Sequence, residues 1–335
     1  MVAVVAAAAL LVASPVESKT RVSQIPWDLH SQGLPYLVPG DHDVWIEAIN
    51  PKPDAVTVWR VDLPRLAAKP SGVKGLMGDV FPDQGAFWLS TIDRKAPYGL
   101  RLFWVDVSNG YRMSEKTVPS GCRVGDGGHS VVYASRLWFT CSGASIYVYS
   151  HAERLPTERL HLAGVEALLP ASTGLWAATK QSLRAVAGDS KAAVISLPRG
   201  FVVAGDYASN VGWALAGGTI WAVGHDATNK AALVRLDTRA RSVAVFPIVA
   251  PVRSDGYLGG GIVVAGDEIW LGDSAHVRLI RYSANKPGAP LGYIPIPGSG
   301  HANDAYFRVQ AGAGAAWVEA QRPDGIELFR VTIGP

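Results

Sequence analysis

Hydrophobic and polar positions along this chain fall into short runs, and one phrase recurs. A Gly, Asp or Ser turn leads into an apolar run carrying a single tryptophan, and polar residues follow, as in AGDEIWLGD at 265–273. Trp45, Trp88, Trp138, Trp176, Trp221, Trp270 and Trp317 share this context, 38 to 50 residues apart and about 45 on average. After each comes a turn and a second alternating run: VTVWRVD, LRLFWVD, SIYVYS, SLRAVAGD, ALVRLD, RLIRYS and IELFRVT. Alternation with a period of two, bounded by turn residues, reads as β-strand. The tryptophan run is then the second strand of a repeating unit and the alternating run the third. A further β run often closes on an apolar residue and proline, at Val118-Pro119, Leu197-Pro198, Phe246-Pro247 and Ile296-Pro297. Proline cannot donate to a ladder, so these runs suit an outermost strand.

A period near 45 residues with four strands per unit is that of a propeller blade, and its unevenness argues against a tight solenoid. The chain is therefore expected to be all-β, a seven-bladed β-propeller of four-stranded blades. Each tryptophan is expected on a second strand, buried between neighbouring blades. The last unit stops at Val331-Thr332-Ile333, straight after its third strand, while TRVSQIP at 20–26 ends in apolar-Pro with no unit before it. The N-terminal strand is expected to join the last blade and close the ring, leaving no blade incomplete.

Composition supports one β-rich domain over 19–335: 36 Gly and 22 Pro punctuate runs rich in Val, Ile, Trp and Tyr, and no long amphipathic helix pattern appears. The formal net charge of +3, without a Lys/Arg cluster, offers no footprint for nucleic acid. The first sixteen residues, MVAVVAAAALLVASPV, are uncharged. They fall short of the roughly 18 to 20 residues a spanning helix needs. A signal peptide over 1–18 is expected, with a signal anchor as the alternative, giving a secreted or cell-envelope protein without a membrane span in the mature chain. Two cysteines, Cys122 and Cys141, are expected to form one disulfide in such a chain.

The step apolar-Arg-apolar-Asp/Ser/Thr recurs at Arg60-Val-Asp62, Arg235-Leu-Asp237, Arg281-Tyr-Ser283 and Arg330-Val-Thr332. With the Gly-x-apolar-Trp-apolar phrase, it resembles the seven-bladed propellers of the streptogramin (virginiamycin B) lyase-like, NHL and YVTN repeat groups. The resemblance covers nearly the whole mature chain and implies the fold. Streptogramin lyases place a general-base His with Glu residues and magnesium on the loop face; WLGDSAHVRL and WVEAQRPDG here do not reproduce that His and Glu pattern.

A phase relation links the strand-ending prolines to later acids. Asp126, Asp206, Asp255 and Asp304 follow Pro119, Pro198, Pro247 and Pro297 by seven or eight residues, Asp79 follows Pro70 by nine, and Glu166 occupies the comparable stretch of the fourth unit. Phe81, His129, Tyr207, Tyr257 and Tyr306 come soon after, and His301 precedes Asp304. These residues are expected between one blade's outer strand and the next blade's innermost strand, bordering one mouth of the central channel. An acidic and aromatic rim there suits a cation, a cationic ligand or a sugar, since carboxylates supply charge and ring faces supply stacking area. The alternative is that each Asp holds its own turn.

No Gly-x-Ser-x-Gly elbow, phosphate loop or EF-hand pattern is present. The cofactor is therefore unknown, and no metal or catalytic residue is assigned. The expectation is a monomeric binding module taking a small molecule or a protein at the loop face, ahead of a lyase or hydrolase whose active site at the channel mouth draws on several blades.

Overall fold

The computed structural model describes residues 20–28, 34–49, 57–73, 79–92, 99–122, 129–141, 145–188, 192–204, 212–250, 260–298, 307–322 and 325–333. The signal segment lies outside them. Their strands form seven antiparallel sheets, one per blade. Blades 1 to 3 run Leu34–Pro39, Val44–Ile49, Val58–Asp62, Ala67–Pro70; Val80–Asp83, Ala86–Ile92, Leu100–Asp106, Arg112–Lys116; and Val131–Tyr133, Arg136–Cys141, Ser145–Ser150, Glu158–His161. Blades 4 and 5 run Ala167–Ala171, Gly174–Ala178, Ser182–Ala187, Val194–Ser196; and Trp213–Ala216, Thr219–His225, Ala231–Asp237, Ser242–Pro247. Blade 6 runs Ile262–Ala265, Glu268–Asp273, Arg278–Ser283 and Gly292–Pro295. Blade 7 takes Phe307–Gly312, Ala315–Arg322 and Gly325–Ile333, and its fourth strand is Thr20–Ile25 from the other end of the chain. The first strands of successive blades approach one another in turn around a closed ring, which makes them the channel-lining strands.

The tryptophan period is the spacing of the inter-blade core. All seven tryptophans lie on second strands and all are buried. Each belongs to a separate hydrophobic cluster that joins its blade to the next. Trp45 meets Phe87, Leu89 and Val105 of blade 2, Trp88 meets Leu137, Phe139 and Tyr149 of blade 3, and so on until Trp317 meets Leu37, Ile46 and Val61 of blade 1. An aromatic side chain of this size buries 150–250 Å², so each anchor is worth at most about 4 to 6 kcal/mol by area.

The Arg steps are explained by register. Arg60, Arg235, Arg281 and Arg330 stand directly across from Trp45, Trp221, Trp270 and Trp317 on the third strands. The guanidinium of Arg60, Arg235 or Arg330 lies 5.8 to 5.9 Å from the opposing indole centroid. Arg281 instead donates through Nε to Glu268 at 2.7 Å, and Trp270 donates to the same carboxylate at 2.8 Å. These residues cover the anchor with a charged, half-exposed lid.

Closure follows the expected route. Thr20–Ile25 pairs antiparallel with Gly325–Ile333 from Thr20 opposite Ile333 to Ile25 opposite Leu328, and Ile25 is buried against blade 1. Blade 5 departs from the four-strand scheme. Val202–Val203 pairs with Gly224 and His225 on the second strand of this blade, and the chain leaves at Ala204 and returns at Gly212. Both flank Val223, whose carbonyl accepts from Ala204 N–H at 2.8 Å and whose N–H donates to Gly212 at 3.0 Å. A Cβ at Gly212 would overlap the Ala204 carbonyl oxygen, so only glycine allows the strand to reopen there.

Candidate functional site

The second strand carries a further position beyond each anchor. Two residues after the tryptophans come Glu47, Ser90, Thr140, Ala178, Val223, Gly272 and Glu319, in blades 1 to 7 respectively. Their neighbours on or just before the first strands, where each blade enters the ring, are Tyr36, Asp79, Ala167, Gly212, Gly261 and Arg308, and in blade 3 the register of Val131 with Trp138 extends to His129 opposite Thr140. This layer therefore divides. Blades 7, 1, 2 and 3 contribute Arg308 with Glu319, Tyr36 with Glu47, Asp79 with Ser90, and His129 at the level of Thr140. Blades 4, 5 and 6 contribute only Ala, Val and Gly. Period-two alternation brings each member to the same level and fixes its side, while the ring sets the four polar pairs side by side in one crescent.

The crescent is largely withdrawn from water and internally bonded. Glu319 is 1% exposed and Glu47 7%. The Glu319 carboxylate accepts the Leu37 N–H of blade 1 and stands 4.0 Å from Arg308, and Gln310 donates to the Leu37 carbonyl at 3.0 Å. Blade 7 thus caps the channel-facing edge of blade 1 with side chains. Asp79 N–H donates to Ser90 Oγ at 2.9 Å, and Ser90 Oγ lies 3.4 Å from the Asp79 carboxylate. In blade 3 the direction is reversed, the second-strand Thr140 N–H donating to Ser130 Oγ on the inner side at 2.9 Å. Burial pushes the Asp79 carboxyl above its usual range, and the Ser90 hydrogen bond and the charge of Arg308 pull part of the way back. Arg308 belongs to blade 7 and Asp79 to blade 2, so their charges meet past the inner strand of blade 1. Three carboxylates and one guanidinium leave this side of the ring acidic.

No protein-family model and no curated protein matches the chain. Among solved structures, the fold is similar to BamB from Moraxella catarrhalis, at 10% identity and a TM-score of 0.51, covering 92% of this chain and 97% of that one. It is also similar to the WD40 propeller domain of Doa1, at 11% identity and a TM-score of 0.55, covering 93% and 95%. At these identities the likeness is one of fold.

Of the rim residues expected from the sequence, Asp79 stands just before the inner strand of blade 2, tied to Ser90. Asp126, Asp255, Tyr257, His301, Asp304 and Tyr306 lie outside the described residues, between the outer strand of one blade and the inner strand of the next. Asp206 and Tyr207 also lie outside them, but between Ala204 and Gly212, after the chain has already joined blade 5 through Val202–Val203. Phe81 is not a rim residue. It is buried between blades 2 and 3, edge-on to Phe139 at 6.5 Å, because it shares its level with the anchor Trp88. Glu166 sits just before the inner strand of blade 4, its N–H donating to Ala178 at 2.8 Å; burial raises its carboxyl and Lys180 opposes the rise. The disulfide forms as expected, joining Cys122, ahead of blade 3, to Cys141 at the end of that blade's second strand.

Spacing from prolines missed Tyr36, Glu47, Arg308 and Glu319. The signal available was the residue two beyond each tryptophan. A second local arrangement was also missed. In the turn between the second and third strands of blade 6, the fully buried Asp273 carboxylate accepts from Arg278 Nε at 2.7 Å and lies 2.9 Å from His276 Nδ1. His276 itself is 58% exposed. Among the described residues, no group of three or more His, Cys, Asp and Glu could hold a metal ion, and no helix is long and apolar enough to cross a membrane.

Proposed function

We propose that the chain is an exported binding module, mature over residues 19–335, whose channel mouth takes a cationic group, either a small organic cation or a basic side chain presented by a protein partner. The observation that carries this reading is the division of the mouth layer. A layer serving only to hold turns has no reason to concentrate Glu47, Asp79 and Glu319 in three adjacent blades and leave blades 4, 5 and 6 lined by Ala, Val and Gly. A crescent of withdrawn carboxylates with Tyr36 and His129 beside it offers charge and ring faces to a cation, and the small residues opposite leave room for its apolar body. The disulfide suits export to an oxidising compartment.

The test is a thermal-shift screen of the mature chain against organic amines, divalent cations and neutral sugars. A ligand of the native state raises apparent stability by about 2.7 kcal/mol at a hundredfold excess over its Kd. Amines are expected to raise the melting temperature, and the shift is expected to vanish in the Glu47→Gln/Asp79→Asn double variant without a lower starting temperature. If sugars shift the wild type and amines do not, or if the double variant keeps the full shift, the acidic crescent is not the site.

A second reading, a lyase or hydrolase, is favoured by one observation. The Asp273 carboxylate can hold His276 through Nδ1 while the ring stays largely exposed, as a general base acting through Nε2 requires. Turnover of an added substrate that His276→Gln abolishes, at unchanged stability, would move the function to blade 6.

A further inference from the structure

An outer strand has one side paired and the other open, and proteins blunt open edges with charge, brevity or proline to stop them pairing with other chains. Six of the seven outer strands here are blunted. Ala67–Pro70 carries Lys69, Arg112–Lys116 carries Arg112 and Glu115, Glu158–His161 carries Glu158 and Arg159, and Thr20–Ile25 carries Arg21. Val194–Ser196 is three residues long, and Gly292–Pro295 is four and ends in proline. The exception is Ser242–Pro247 of blade 5. It is six residues long, reads SVAVFP with its proline only at the last position, and carries no charge itself, the nearest in sequence being Arg241 before it and Arg253 after it.

Among the described residues this strand pairs only with Ala231–Asp237 on its inner side. Phe246 packs inward, 6.0 Å from Trp221, which fixes the strand's orientation. Val243 and Val245 then share the other face, 36% and 45% exposed, and the neighbouring outer strand of blade 4 adds Val194 at 54%. The edge thus offers both an unspent row of backbone donors and acceptors and a pair of apolar side chains at the spacing of one strand face.

We propose that the outer edge of blade 5 is a self-association surface, pairing antiparallel with the same strand of a second copy of this chain. The occupant follows from self-complementarity. A two-fold axis perpendicular to the sheet keeps each copy's exposed valines on the same side. With the axis through Ala244, Val243 of each copy stands opposite Val245 of the other, so the apolar pair forms twice. The absence of charge in the strand removes the like-charge contact that a two-fold axis imposes on a charged edge. The two blade 5 sheets become one continuous sheet, and Pro247, lacking an N–H, ends the pairing. This surface lies on the outer wall and does not depend on what the channel mouth binds.

Sedimentation equilibrium of the mature chain tests it. The wild type is expected to reach twice the mass of the chain in a concentration-dependent manner. Val245→Lys, and separately Val243→Lys, are expected to return it to monomer with unchanged circular dichroism and melting temperature. Leu155→Lys, at another exposed apolar residue 62% open to solvent, is expected to leave the dimer intact. A wild-type monomer at every soluble concentration, the state expected from the sequence, would overturn the proposal and leave the edge to a strand of a different protein. A dimer that survives both lysine variants would overturn it as well.

Discussion

At the scale of single residues, the seven tryptophans share a position but not a hydrogen-bonding state. The indole N–H of Trp317 donates to Gly312 at 2.8 Å and that of Trp270 to Glu268, whereas the buried indole nitrogens of Trp45, Trp88 and Trp138 meet no acceptor among the described residues. A buried donor left unmade costs about 1 to 3 kcal/mol, so replacing it by carbon recovers part of what the smaller ring loses. Trp45→Phe is therefore expected to destabilise less than Trp317→Phe, by about 1 kcal/mol in urea denaturation. Asp79 gives a pH test. Its folded carboxyl is raised above the ordinary 3.8, chiefly by burial. The folded state thus holds the proton more tightly, and the wild type loses stability as pH rises from the unfolded value through the folded one. Asp79→Asn does not titrate and is expected to melt higher than wild type at neutral pH, with the difference vanishing in acid below 3.8; a variant less stable at neutral pH would make Asp79 a turn-holding residue. Glu268 has the opposite sign. Its hydrogen bond from Arg281 holds the carboxyl below the usual range, so its contribution is present at neutral pH and lost as pH falls through the folded value. Which residues would be anchors was legible from their apolar neighbours. Which indoles would find an acceptor was not, because the partner is set by the path of a neighbouring strand or turn.

At the scale of elements, the strand-turn-strand phrases, the third strands and the closing N-terminal strand were all legible, since each depends on local alternation and on units that can be counted. Deletion of residues 19–26 is expected to cause aggregation or loss of the folding transition, because it bares the outer edge of the last strand from Leu328 to Ile333 and removes Ile25 from the Trp317 cluster in the blade 7 to blade 1 core. If the truncated chain melts like the full one, the strand is dispensable. Two features were not legible. The split inner edge of blade 5 escaped because Val202–Val203 is only two residues long and its pairing partner is reached across a gap from Ala204 to Gly212. The mouth crescent escaped because its members lie in four blades far apart in sequence. Only a register fixed from the tryptophans outward aligns Glu47 with Ser90, Thr140 and Glu319; counting from prolines led to Asp79 and to Phe81, and Phe81 is core. The Cys122–Cys141 bridge closes a short span, 19 residues apart in sequence. Replacing both cysteines by serine is expected to cost about 3 kcal/mol by loop-closure entropy, read from urea denaturation.

At the scale of the whole molecule, seven hydrophobic interfaces form a ring in which each blade is held on both sides, so no blade is terminal in the way an end repeat of a solenoid is. A local lesion is then shared around the ring. Trp176→Ala is expected to cost about 3 to 5 kcal/mol and to lower one calorimetric transition, without splitting it into two. The closure also has a consequence in time. The side chains of Gln24 and Glu327, hydrogen-bonded in the finished ring, are 303 residues apart in the chain. At ribosomal rates of roughly 5 to 20 residues per second, the first strand waits about 15 to 60 seconds for its partner to be made. During that interval the early blades are expected to stand as an open arc with a bare apolar face at each end, and the protein is expected to depend on helpers that shield nascent chains more than its finished surface would suggest.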